Sequence, residues 1–420
     1  MGLTRRAFIA GGLASVGLTA GRAEGLPPLT NPCLEGLPPD LAEHPLVRDA
    51  WAGLDPVDVW DAHAHLAGLG DGNTGIAVQH QMAHPRNPVS YLQRFFYLNA
   101  SCTRTGPGSV DARYVARLRH LVAELPPGCK ALLFAFDWAH DEKGAPLPER
   151  STLYVPDAYA KEVARQHPER FEWAASIHPY RADAVEALER AAAEGARAIK
   201  WLPPAQNIDA ASPRCDTFYR ALARLRLPLI VHVGEERAMA GAAAGALGNP
   251  LRLRRPLALG VRLVAAHCAS LGKDRDLDRG PRGPVVKSFD LFARLMDEGR
   301  GHGELYGDIS AMTQANRAGA ALAAVLTRQD WHPRLLNGSD YPLPGVMPLV
   351  RPAGLAQAGF LDAAAVPVLE AIRRYNPLLF DFVLKRTLRD PKTGQRFASC
   401  VFTGNPAFGQ TGKATIDAPK

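Results

Sequence analysis

Short apolar runs rich in Val, Ile, Leu and Ala recur along the chain, each followed by a loop and then by a stretch whose apolar positions repeat at helical spacing. The runs predict strands over Val57–Leu66, Lys130–Trp138, Phe171–Pro179, Ala196–Leu202, Leu227–Gly234, Val261–Cys268, Glu304–Ala311 and Leu335–Asp340. Helices are predicted over Asp157–Gln166, Ala182–Glu194, Thr217–Arg226, Val286–Glu298 and Gln314–Thr327, with Pro or Gly marking several of the boundaries. Strands that are apolar throughout must be covered on both faces, so the alternation predicts a parallel sheet clothed in helices. Eight such repeats favour closure into an α/β (β/α)8 barrel of the TIM type over an open sheet. Two departures stand out. Gly75 to Leu125 is a long insertion after the first strand, with helices over Tyr91–Asn99 and Tyr114–Leu125, placed to lie over the barrel mouth. Helices from about Leu361 to Arg389 form a C-terminal extension.

The amino terminus changes the picture. Thr4-Arg5-Arg6-Ala7-Phe8-Ile9 opens an apolar, glycine-rich run from Ala7 to Ala20, followed by the small residues Gly21 and Ala23. This resembles a bacterial twin-arginine export signal over residues 1–23 and predicts a periplasmic or secreted protein. The run is too short to span a bilayer, so no membrane span is expected once the signal is removed. Residues 24–50, rich in Pro and Gly, read as an extended lead-in, and residues 51–420 as a single barrel domain with its C-terminal helices. The formal charge of +7 is carried in part by that leader. Elsewhere Arg and Lys are interspersed with Asp and Glu, with no long basic run, so nucleic acid is not an expected partner and a small-molecule substrate is. A homo-oligomer stays open. The six cysteines are scattered without a C-x-x-C pair, which is no disulfide framework, although an oxidising compartment allows one or two bridges.

The candidate chemistry gathers at the strand ends, where barrel enzymes carry their sites. In Asp61-Ala62-His63-Ala64-His65 the strand period puts His63 and His65 on one face, with Asp61 one step deeper on that same face. Lys200 lies in the fourth strand, while His232, His267 and Asp340 end the fifth, sixth and eighth. Each interrupts or ends an apolar run. Unpaired polar groups buried there would cost on the order of 1–3 kcal/mol apiece, a cost that a metal taking their lone pairs removes. Among other polar residues near strand ends, His178, Trp201 and Arg237 are candidates for substrate contact; a loop role, outer-layer packing and a solvated basic face are their respective alternatives.

The set H-A-H, A-I-K-W, I-V-H-V-G, A-A-H-C and N-G-S-D-Y-P resembles the amidohydrolase superfamily, in particular its amidohydrolase-related branch of hydrolases and decarboxylases. The resemblance runs from about Val57 to Pro344. It implies one divalent metal, usually Zn2+, on His63, His65, His232 and Asp340, with His267 polarising the substrate. In the two-metal form it implies a carboxylated Lys200 bridging the ions, with His267 as a further ligand. The implied chemistry is attack of a metal-activated water on an amide, ester or lactone carbonyl, with Asp340 carrying the proton. Alternatives are a metal-dependent decarboxylase on the same ligands, and an exported metal- or ligand-binding protein that catalyses nothing. The related metal-dependent deoxyribonucleases carry glutamate where this chain has Lys200.

Overall fold

The computed structural model describes residues 29–79, 82, 86–237, 245–298, 304–403 and 408. The predicted export signal at 1–23 lies outside the described residues. Eight parallel strands succeed one another around a sheet: β1 (Trp60–His65), β2 (Lys130–Phe134), β3 (Phe171–Ala175), β4 (Ala198–Trp201), β5 (Leu229–His232), β6 (Leu263–Ala266), β7 (Leu305–Asp308) and β8 (Leu335–Leu336). The ring closes where the chain after β8 meets β1. Ala62 N donates to Asn337 O (2.9 Å), Asp340 N to His63 O (2.7 Å) and His65 N to Tyr341 O (3.0 Å). The fold is the α/β (β/α)8 barrel that the alternation predicts. Its strands are shorter than the apolar runs, because several runs continue past the ladder into the loops that carry the site.

Inside the ring pack Trp60, Ala62, Leu132, Phe134, Ala174, Ala198, Ile230, Val264, Tyr306 and Leu336, while the opposite strand faces meet the surrounding helices. Those helices include α1 (Pro88–Ala100) and α2 (Val110–Ala123) in the insertion, then α3 (Asp157–Gln166), α4 (Ala184–Ala193), α5 (Asp216–Leu225), α6 (Ser288–Glu298) and α7 (Ala320–Thr327) between strands, and α8 (Val366–Tyr375) and α9 (Pro377–Thr387) at the end. Near the amino terminus the expected extended lead-in holds two short helices instead, Pro39–Ala42 and Pro45–Trp51. Each opens on a proline at the first helical position, where the missing N–H costs nothing and the fixed φ helps, so proline marked helix starts there and not their absence.

Two features tie the outer layer to the barrel mouth. Arg373 of α8, 2% exposed, donates to the carbonyls of Pro344, Val346, Met347 and Val350 at 2.6–3.0 Å and so fixes the loop after β8. In the insertion, the glycine-rich turn at 68–75 wraps the Asp111 carboxylate, which accepts from Leu69 N, Gly70 N and Gly72 N at 2.7–3.2 Å. A Cβ on Gly68 would stand 2.1 Å from that carboxylate, so the turn closes only on glycine.

Candidate metal centre and cavity

The barrel's period-2 pattern explains most of the site. On β4 and β5 the inward residues Ala198 and Ile230 are followed two positions later by Lys200 and His232, so both side chains continue the interior column upward. On β7 Tyr306 leads in the same way to Asp308. On β1 the pattern breaks. The register with β2 shifts between Asp61 and Ala64, a bulge that leaves Ala62 inside the ring and brings His63 in as well. Asp61 therefore does not share the histidine face. It faces the outer layer, where it accepts from Ser339 N (2.7 Å) and Ser339 Oγ, and burial raises its pKa despite those bonds. Strand parity would send His267 outward, since Val264 is the inward residue of β6. Left-handed backbone at His267, Cys268 and Ala269 (φ 57°, 48° and 49°) turns it back. Each such residue costs roughly 1–2 kcal/mol, a strain of the kind found at functional sites.

His63 Nε2, His65 Nε2 and Asp340 Oδ1 stand 3.2–3.4 Å from one another. His267 Nε2 lies 4.0 Å from Asp340 Oδ2, and His63, His267 and Asp340 form a cluster with donor atoms within 4.8 Å of each other. Lys200 Nζ is 3.4 Å from His63 Nε2 and lies over the Phe134 ring. All of these are buried except His65, whose side chain is 28% exposed.

Around them, Asp308 sets which nitrogen faces the centre. One of its oxygens takes His63 Nδ1 at 3.0 Å; the other accepts from His267 N and Ser310 N, both at 3.0 Å, and from the Ser310 hydroxyl. Because that hydroxyl proton goes to Asp308, Ser310 Oγ is left to accept from His267 Nδ1 at 2.7 Å, beside the Ser310 carbonyl at 3.2 Å. Hydrogen-bond partners thus assign the Nδ1–H tautomer to both rings and aim both Nε2 lone pairs at the centre. Burial, with Lys200 nearby, lowers the His63 pKa to about 4, and burial lowers His267 to about 3, so both rings are neutral at pH 7. Burial works against the charge on Asp308, but His63 and the hydrogen bonds hold it well below the usual carboxylate range. Burial brings Lys200 down to about 8.

This donor set fits a divalent cation. Ligands about 2.0–2.1 Å from a tetrahedral ion lie roughly 3.3 Å apart, the spacing that His63, His65 and Asp340 adopt. His232 Nε2 is buried with no hydrogen bond, 3.3 Å from Glu236 Oε2 but out of bonding geometry, and a cation would satisfy it. His63, His65, Lys200, His232, His267 and Asp340 all line one cavity of about 320 Å³ at the barrel mouth, bounded also by α1 and the loop after β8.

Of the remaining sequence candidates, Arg237 lines the cavity too, paired with Glu235 at 2.9 Å. His178 does not line it. Its Nε2 faces Gln206 O at 2.9 Å, and its ring packs on His140 and Tyr180 within the loop after the third strand. Trp201 is fully buried on the outer face of β4, stacked on Phe218 with its indole N–H on Ile177 O. It follows inward-facing Lys200, and period 2 forces it outward. Sequence reasoning passed over Asp308, Ser310, Glu236 and Arg317. Asp308 ends the apolar run Leu305-Tyr306-Gly307 and was open to the rule that found the others; the remaining three sit in loops without a periodic signal.

The amidohydrolase family model matches residues 60–378, and the chain belongs to that family. No curated protein matches the chain. Similar solved structures include an uncharacterized TIM-barrel protein from Bordetella bronchiseptica, 14% identical, covering 74% of this chain and 99% of that one with a TM-score of 0.44. A probable 2-pyrone-4,6-dicarboxylic acid hydrolase from Acinetobacter baumannii is 13% identical over 68% of this chain and 84% of its own, at 0.39. A 2,6-dihydroxybenzoate decarboxylase from Rhizobium is 13% identical over 77% and 97%, at 0.37. None of these assigns a reaction to this chain.

Proposed function

We propose that this chain is an exported, metal-dependent hydrolase that opens an amide, ester or lactone bond of a small organic substrate. The observation that carries the reading is the convergence of His63, His65, His232, His267 and Asp340 at the base of one cavity, with the Nε2 lone pairs of His63 and His267 turned inward by Asp308 and Ser310. His63, His65, His232 and Asp340 would hold the ion. A divalent cation there, most simply Zn2+, supplies Lewis acidity and a nucleophilic water at neutral pH. Asp340, whose carboxyl is held well below its ordinary pKa against the pull of burial by the neighbouring histidines, takes the proton of the attacking water and returns it to the leaving group. His267, with its proton committed to Ser310, orients that water by accepting from it. The superfamily resemblance gives His267 the polarisation of the substrate carbonyl instead, a role that needs the ring proton on Nε2 rather than on Nδ1. Lys200, buried beside His63, would serve as the carboxylated bridge if two ions bind.

Reaction in heavy-oxygen water over a panel of esters, lactones and amides tests the class. Hydrolysis places solvent oxygen in the product; release of carbon dioxide from a carboxylic acid substrate without it would establish the decarboxylase instead. Elemental analysis of the protein and of Lys200→Ala separates one ion from two, since a bridge predicts a fall from two ions per chain toward one. Export is supported by the Arg5-Arg6 leader and by the Cys33–Cys102 disulfide, which suits an oxidising compartment. Arg5→Lys with Arg6→Lys should keep the protein in the cytoplasm, and unaltered fractionation would remove the twin-arginine assignment.

A further inference from the structure

The chain after β5 is pinned so that residue 236 returns over the end of its own strand. Gly234 N donates to Gly248 O at 2.7 Å, and Glu235 N to Leu271 O at 2.9 Å. Gly234 takes a φ of 84°, and a Cβ there would stand 2.6 Å from Leu271 O, so the turn closes only on glycine. The two acidic residues that follow then part. Glu235 goes outward to pair with Arg237, 45% exposed, while Glu236 goes inward, 6% exposed, and lines the cavity. There its Oε2 lies 3.3 Å from His232 Nε2, yet the angles exclude a hydrogen bond, and that nitrogen is buried without a partner among the described residues. An imidazole nitrogen and a carboxylate oxygen this close, sharing no proton, leave two electron pairs side by side that one cation would satisfy. Two donors about 2.0–2.2 Å from a tetrahedral ion lie roughly 3.3 Å apart, so the pair repeats the spacing of His63, His65 and Asp340. The charges agree. Lys200 and Arg317 both feel the fields of Asp308, Asp340 and Glu236, and Arg317, bonded to Ser270 Oγ at 3.3 Å, balances Glu236 through its field. Three carboxylates against two cations leave this group short of positive charge, which a metal ion makes up.

We propose that Glu236 is a further metal ligand: its carboxylate joins the His232 imidazole on the divalent cation that His232 holds. The proposal rests on the reading of this cavity as a metal centre, and it extends the ligand set beyond His63, His65, His232 and Asp340 to the loop after β5. A ligand acts through its reach as well as its charge, and that separates Glu236 from a carboxylate that only lends its field.

Competition between the metal-stripped protein and a chromogenic chelator for Zn2+ measures affinity without requiring turnover, and the visible spectrum of the Co2+-loaded protein reports the donors on the ion. Glu236→Gln should bind Zn2+ at least about tenfold more weakly and should shift the Co2+ spectrum. Glu236→Asp keeps the charge but draws the oxygens back by one methylene, and it too should lose at least about threefold. Glu235→Gln removes the same charge from the exposed neighbour, where solvent screens it, and should stay within about twofold of native. Native affinity in Glu236→Gln overturns the proposal. So does a loss that Glu236→Asp restores in full, a loss of the same size in Glu235→Gln, or an unshifted Co2+ spectrum, each of which makes Glu236 a charge at a distance. Glu236→Asp with the same two readouts carries the test should the Gln variant not fold. A native protein that takes up neither ion overturns this proposal and the metal centre together. A protein that binds Zn2+ through Glu236 but never places solvent oxygen in product loses the hydrolase reading and keeps this one; active hydrolysis with native Zn2+ affinity in both Glu236 variants does the reverse.

Discussion

Asp308 is the residue on which the ligand geometry depends, although it is not itself one of the candidate ligands. Its two oxygens fix the His63 ring and the backbone at His267 and Ser310, so Asp308→Asn keeps the shape but loses the charge and part of the acceptor capacity. Outer partners of this kind typically matter by about 10–100-fold, and metal affinity in Asp308→Asn should fall within that range when measured by competition with a chromogenic chelator. An affinity unchanged from the native protein would remove Asp308 from this role. The same burial sets a pH dependence. His63 and His267 have folded pKa values of about 4 and about 3 against an ordinary 6.5, so the unfolded chain binds their protons first as pH falls. Their contribution is complete above about pH 6.5 and is lost progressively below it, until the folded groups themselves titrate. Metal-stripped protein should therefore melt at lower temperature at pH 5 than at pH 7. The drop should shrink in His267→Asn, and an equal drop in that variant would contradict the assignment.

Among the elements, the closure of β8 onto β1 carries the most constraint. A Cβ on Gly338 would stand 2.6 Å from His63 Cβ and 3.1 Å from His63 N. Gly338→Ala must then push the eighth strand off the first at the point where both deliver ligands, a cost of about 1–3 kcal/mol as for other overpacked sites. A melting temperature within a degree or so of native, with metal content intact, would show that the seam has slack. The eight strands and their helical cover were legible because a parallel sheet buried on both faces writes itself as uninterrupted apolar runs, and Lys200, His232 and Asp340 were legible as polar residues that break or end those runs. Asp308 was open to the same rule, and the rest of what escaped had no periodic signature. The bulge that separates Asp61 from His63 is a local register slip, and the left-handed turn at His267-Cys268-Ala269 uses residues that ordinarily avoid that backbone. Trp201 and His178 stayed open in the sequence for a related reason: nearness to Lys200 or to a strand end does not fix the face, whereas parity places Trp201 outward, the packing alternative, and a carbonyl of Gln206 claims His178, the loop alternative.

At the scale of the whole molecule, the disulfide between Cys33 and Cys102 joins the segment ahead of the barrel to the chain just past α1, whose C-terminal half lies along the cavity. It closes a loop spanning 69 positions of sequence, for which chain-entropy models give about 4 kcal/mol. Cys33→Ser should lower the unfolding free energy by about 2–4 kcal/mol in denaturant titration, and reductant should affect the native protein but not the variant. Coincident unfolding curves for the two under oxidising conditions would show that the bridge does not constrain the unfolded chain. Within the folded molecule, His65 is the one member of the ligand cluster with a solvent-facing edge, 28% exposed where the others are buried. An ion reaching this cluster would therefore use the same doorway as a substrate entering the cavity. A ligand filling the chamber would cork the bottle, slowing both loading of an empty protein and stripping of a loaded one, so that an occupied protein outlasts a vacant one in the presence of EDTA.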